Sequence, residues 1–142
     1  TSNGLDWTAD AKTLYYIDTH YKRIDAFRYD VRSGELSDRK SIFDFADIRP
    51  DGMSIDENGN LHVAFWGASM VKTIDPRRRE VIGTIKTPAL QTSCPAFGGR
   101  DLSTMYITSA CTGRLDEPDQ LLAGMLYSVK MPVKGVRANL FG

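Results

Sequence analysis

The sequence predicts an all-β fold, a β-propeller with three four-stranded blades, and three observations carry that expectation. Helical periodicity is scarce, and short runs rich in Val, Ile, Tyr, Phe, Thr and Trp recur between clusters of Gly, Asn, Asp and Pro. The runs fall into three groups of four. The groups also align with one another: "NGLDWTADAKTLYYID" matches "DGMSIDENGNLHVAFW" and, more loosely, "SCPAFGGRDLSTMYITS". Gly4, Gly52 and Cys94 then share one register. Four short strands per unit of roughly 40 to 50 residues is the period of a propeller blade.

Taken in order, the first unit (about 1–48) holds strands expected at Leu5–Thr8, Thr13–Asp18, Arg23–Asp30 and Arg39–Asp44. The second (about 49–90) holds Met53–Asp56, Leu61–Trp66, Met70–Asp75 and Val81–Lys86. The third (about 91–142) holds Cys94–Phe97, Thr104–Ser109, Gly124–Lys130 and a last stretch near Val136–Phe141. All three belong to a single domain spanning 1–142. Polar segments, "TADAK", "DENGN" and "GGRDLS", join the first two strands of each unit, and Asn58-Gly59 in the middle one is a strong hairpin signal. Runs such as "TLYYI" and "LHVAFW" barely alternate, which suits a sheet covered on both faces. The polar stretch Gly113 to Gly124, with a short helical turn over Pro118–Leu122, reads as a surface loop or as a lid over the mouth of the ring. Propellers close with 4–8 blades to hide their edges. Three blades do not close a ring, so the sequence predicts half of one, completed by another part of the protein or by a second chain.

Eighteen basic residues balance eighteen acidic ones. With no net charge, nucleic acid is excluded as a main partner. The longest basic run, Arg77-Arg78-Arg79, is flanked by acids and reads as a solvated loop. No apolar stretch reaches the roughly 18 residues that span a bilayer. Cys94 and Cys111 lack any metal-ligand spacing and are expected to be two buried free thiols, with a disulfide as the alternative. Free thiols belong to a reducing compartment, and the expected location is cytoplasmic.

The candidate chemistry sits where each unit begins. Asn3 and Asp51 stand before the first strand of their units, and Ser93, with Thr92 beside it, occupies the same register in the third. The first strand of a blade lines the channel, so an amide oxygen, a carboxylate and a hydroxyl face one spot. Convergent oxygens suit one hard divalent cation. The glycines after Asn3 and Asp51 keep the approach open. Other conspicuous residues have plainer readings. His62 is packed within a strand, and His20 is an exposed turn residue. Trp7, Tyr15, Tyr16, Phe65 and Trp66 pack between blades, with Trp66 a candidate for the substrate mouth. Asp18, Asp56 and Asp75 close strands and cap turns.

Several stretches together, "SNGLDW", "LYYIDT", "IDAFRYD", "PDGMSIDENGNLHVA", "FGG", "MYITSA" and "VKG", resemble the SMP-30/gluconolactonase/luciferin-regenerating-enzyme family. The resemblance covers the whole chain and maps onto the C-terminal half of that family's fold. It implies a six-bladed propeller with one divalent metal (Ca, Zn, Mg or Mn) in its central channel, hydrolysing sugar lactones. It implies Asn3 and Asp51 as metal ligands and Asp51 as the general base. The family's third ligand, a glutamate, has no counterpart in this sequence, nor do its substrate-contacting arginine, asparagine and second glutamate. The chain alone is therefore expected to be inactive. The alternative is a calcium-binding regulatory protein or one that handles a luciferin-type ligand.

Overall fold

The computed structural model describes residues 1–113 and 121–138, and within them every regular element is a β-strand. The first sheet is a meander of β1 (Ser2–Trp7), β2 (Thr13–Asp18), β3 (Arg23–Tyr29) and β4 (Leu36–Asp44), each antiparallel to the next. A second meander follows in β5 (Arg49–Ile55), β6 (Leu61–Trp66), β7 (Met70–Asp75) and β8 (Glu80–Lys86). A third runs through β9 (Gln91–Gly98), β10 (Thr104–Ala110) and β11 (Tyr127–Lys130). One residue pair, Trp66 opposite Gln91, joins β6 to β9 and makes the second and third meanders a continuous seven-stranded sheet. The fold is that of a β-propeller, and its three meanders resemble half of a six-bladed ring.

The turns form for local reasons. Between β5 and β6, Asp56 accepts hydrogen bonds from the backbone N–H groups of Asn58 and Asn60, both at 2.9 Å. Gly59 closes the turn at φ 82°, a conformation that costs a glycine nothing. Asp75 receives the N–H groups of Arg77 and Arg78, and Asp18 that of His20. All three aspartates cap turns as their positions imply. Arg77, Arg78 and Arg79 are exposed, in keeping with a solvated loop.

Two apolar clusters hold the sheets together, one at each junction. The first joins Ile17 and Ile24 of the first sheet, and Phe45 just after it, to Met53, Ile55, Leu61, Val63, Phe65 and Ile74 of the second. Phe45 meets the edge of Phe65 at 5.0 Å between ring centroids. The second joins Ala64 and Val71 to Met105 and Ile107. Strand β6 feeds both clusters, which is why "LHVAFW" does not alternate: its first five residues are all buried. Each large side chain so buried contributes about 1.5–3 kcal/mol. His62 is packed as expected, 1% exposed, with Nε2 3.0 Å from Asp56 Oδ2 and Nδ1 3.1 Å from the Thr73 hydroxyl.

Four expectations need correction. The inner strands begin earlier than Leu5, Met53 and Cys94, starting at Ser2, Arg49 and Gln91, so Asn3, Asp51 and Ser93 lie inside strands. The stretch near Val136–Phe141 is no fourth strand in its described part. Gly135 instead bridges Asp56, the Lys134 carbonyl accepts from Glu57 N–H, and Gly135 N–H donates to the Leu102 carbonyl. This segment fastens the second unit to the third; residues 139–142 lie outside the described residues. Both cysteines are free thiols, but Cys94 as a residue is exposed, although its sulfur packs against Gly52, and Cys111 is partly exposed. Trp7 packs edge-on against Tyr29 of its own sheet rather than across a junction. The greater part of the expected loop or lid between Gly113 and Gly124 lies outside the described residues.

Candidate functional site

Strands β1, β5 and β9 run side by side, and each carries one extra residue near its start. In β1, Ser2 pairs with Asp18 and Leu5 with Tyr16, so Asn3 and Gly4 together oppose Ile17. In β5, Pro50 pairs with Phe65 and Met53 with Val63, so Asp51 and Gly52 oppose Ala64. In β9, Thr92 pairs with Ser109 and Cys94 with Thr108, leaving Ser93 as the extra residue. A bulge re-aims the side chain it carries, and it interrupts the ladder only locally. The alignment of the three units is thus a structural repeat at the candidate residues themselves.

The glycines set the spacing between these strands. A Cβ on Gly4 would stand 2.6 Å from Met53 N and 2.8 Å from the Asp51 carbonyl oxygen. A Cβ on Gly52 would stand 2.5 Å from both Cβ and Sγ of Cys94. The strands approach that closely only because two of the three units lack a side chain at this point. Cys94 fills the space against Gly52.

Asn3 and Asp51 come together across this contact. Burial pushes the Asp51 carboxyl up, and its interaction with the Asn3 side chain pulls it part of the way back. Among the described residues no lysine or arginine pulls it down. Asn3 Nδ2 donates to the Thr19 hydroxyl at 3.0 Å, and Thr19 Oγ1 donates to the Pro50 carbonyl at 2.7 Å. Ser93 does not join the pair: its hydroxyl lies 2.8 Å from Thr108 Oγ1, which in turn donates to the Cys94 carbonyl. Thr19 and Cys94 were not legible as parts of the site, although the Gly-Gly-Cys register pointed to the second.

Beyond the bulges the same strands line a cleft of about 430 Å³, with Leu5 and Trp7 from β1, Met53 and Ser54 from β5, and Cys94 and Phe97 from β9. Asp6 borders it. Its carboxylate accepts from Ile55 N–H at 2.9 Å and from Trp7 N–H at 2.8 Å, while burial pushes its pKa up. Asp6 thereby ties β1 to β5 and has no proton-transfer partner in view.

Among the described residues no three His, Cys, Asp or Glu side chains gather as a metal cluster. The donor chemistry of the pair nonetheless fits a hard cation in part. A half-buried carboxylate and an amide whose nitrogen is already engaged by Thr19 are the oxygen donors the pair can offer. Calcium takes six to eight oxygens, so further donors must come from outside this pair.

The family profile described as the SMP-30/Gluconolactonase/LRE-like region matches residues 1–111. Regucalcin of Xenopus laevis is 42% identical over 146 residues, covering 99% of this chain and 48% of its own length. The crystal structure of regucalcin from Agrobacterium tumefaciens, described as a calcium-binding protein, superposes with a TM-score of 0.86 at 28% identity, over 94% of this chain and 47% of that one. A gluconolactonase from Xanthomonas campestris superposes with a TM-score of 0.69 at 26% identity, over 92% and 38%. The chain spans about half the length of the curated relatives it matches. Sequence and fold agree, and the chain belongs to the SMP-30/gluconolactonase/LRE-like family.

Proposed function

We infer that this chain is part of a divalent-metal-dependent hydrolase that opens sugar lactones, and that Asn3 and Asp51 hold the metal. The observation that carries the reading is the pairing of a half-buried carboxylate with an amide across two equivalent bulges. The gluconolactonase among its structural neighbours supports the substrate class, and the calcium-binding regucalcin supports a divalent ion. The blades are taken to end at about 48, 90 and 142. The rest of the ring, supplied by further sequence or by a second chain, would bring the remaining ligand and the substrate contacts. A cytoplasmic setting suits the two free thiols.

A divalent ion bound there would supply Lewis-acid polarisation of a lactone carbonyl and acidify a nearby water. Asp51 would accept a proton from the attacking water, a step that typically contributes about 10² to 10⁴ in rate. Asn3, uncharged, would orient the ion without neutralising it. The thiol of Cys94 is pushed up by burial and by the Asp51 charge, so it stays protonated and takes no part.

Ring opening of gluconolactone by the full-length protein, followed as acid release with and without EDTA, tests this. Activity that EDTA removes, that added Mn²⁺ or Ca²⁺ restores, and that Asp51→Ala abolishes is the expected result. Full turnover in Asp51→Ala would sink the assignment. Metal binding without hydrolysis would favour the second reading, a calcium-binding regulatory protein, which the regucalcin relatives support.

A further inference from the structure

We propose that Thr19 is a positioning residue for the Asn3 and Asp51 pair, dictating which end of the Asn3 amide faces the cation. The proposal rests on the metal reading above. Thr19 follows β2, with its Oγ1 3.0 Å from Asn3 Nδ2 and 2.7 Å from the Pro50 carbonyl oxygen. A carbonyl can only accept, so the single hydroxyl proton of Thr19 goes to Pro50. The hydroxyl oxygen is left to accept, and only the nitrogen end of the amide can donate to it. A chain of hydrogen bonds that begins at an irreversible acceptor thus ends with Asn3 Oδ1 as the acceptor that remains. With the amide turned over, its oxygen would face a hydroxyl with no proton to give.

The same hydroxyl spans two strands. Pro50 immediately precedes Asp51, and Asn3 is an extra residue of the β1 bulge. One side chain therefore sets both the orientation of one ligand and its position relative to the other. In the third unit the Ser93 hydroxyl turns instead to Thr108 of its own hairpin.

The test is Mn²⁺ binding to the full-length protein by isothermal titration, with the thermal midpoint of each metal-free variant measured alongside. Thr19→Val keeps the shape and removes the hydroxyl. It is expected to weaken Mn²⁺ by about tenfold to a hundredfold, the range for outer partners of metal ligands. Thr19→Ser, which restores the hydroxyl, is expected to restore most of the affinity. Wild-type affinity in Thr19→Val, with Asn3→Ala and Asp51→Ala both impaired, would overturn the role of Thr19 and leave the metal reading intact. Unchanged affinity in Asn3→Ala and Asp51→Ala would overturn both. A loss that Thr19→Ser fails to rescue would assign the effect to shape and overturn the proposal as well. Should Thr19→Val not fold, Thr19→Ala is tested in its place against the same outcomes.

Discussion

The first two inner strands and the third make the same bulge and put it to different use. In β1 and β5 the extra turn of chain carries Asn3-Gly4 and Asp51-Gly52, and the two polar side chains meet. In β9 it carries Ser93-Cys94, and the hydroxyl bonds within its own hairpin while the thiol packs on Gly52. The difference shows that backbone geometry repeats through the units, whereas the chemistry depends on two positions per strand. A glycine admits the neighbouring strand, and a polar residue before it uses the opening.

Breaking the close approach is expected to have the largest effect. Gly4→Ala drives a methyl into the backbone of β5, at Met53 N and the Asp51 carbonyl, where nothing flexible can yield. A loss of about 3 kcal/mol is expected in denaturant unfolding, near the upper end for overpacking. Gly52→Ala meets mostly a side chain, so its cost is expected at about 1–3 kcal/mol. Adding Cys94→Gly removes two of the three atoms in its way and should recover part of that loss. Recovery in this double variant, with no such partner available for Gly4→Ala, would sharpen the contrast between the two junctions.

Smaller effects follow from charge. The Asp51 carboxyl is raised by burial, so its contribution to stability is full below the ordinary aspartate range and declines as pH rises through the raised value. Metal-free Asp51→Asn is therefore expected to melt higher than wild type at pH 7, with the gap closing on acidification towards pH 3. A gap that widened on acidification would contradict it. Asp51→Asn should also speed alkylation of Cys94 by iodoacetamide, because the carboxylate charge helps to hold that thiol protonated. Ser93→Ala is expected to matter least, costing about 1 kcal/mol or less for one exposed hydrogen bond and leaving Mn²⁺ affinity unchanged.

The order and grouping of the strands were legible in the sequence through eleven consecutive elements. β-branched and aromatic runs between Asn, Asp and Gly turns carry that signal strongly. The starts of the inner strands were not. Asn3-Gly4, Pro50-Asp51-Gly52 and Ser93 all have low strand propensity, and a bulge destroys the alternation by which a strand is recognised. The twelfth element failed because the segment around Gly135 takes its partners from Asp56, Glu57 and Leu102, far away in sequence. Of the candidate site, the adjacent placement of Asn3 and Asp51 could be expected from the register of the repeat. Thr19 could not, since its link to the pair runs through a carbonyl thirty-one residues away. Ser93 was grouped with the pair because register reports where the backbone lies and not where a hydroxyl turns.

The aligned bulges have one more consequence. Pro50 and Met53 sit opposite Phe65 and Val63, two residues on one face of β6, although three positions separate them in β5. The strand therefore changes phase at Asp51-Gly52, so that its opening residues and its apolar stretch no longer obey a common odd-even rule. Removing a single residue there would restore uniform parity along β5. Pro50 and Met53 would then keep their partners and their common face under ordinary alternation, and what would be lost is the bulge that aims Asp51. A one-residue deletion at this point should thus leave the core faces of β5 in place while abolishing the bulge at Asp51. The site is written as a shift in the strand's counting, which no side chain can supply.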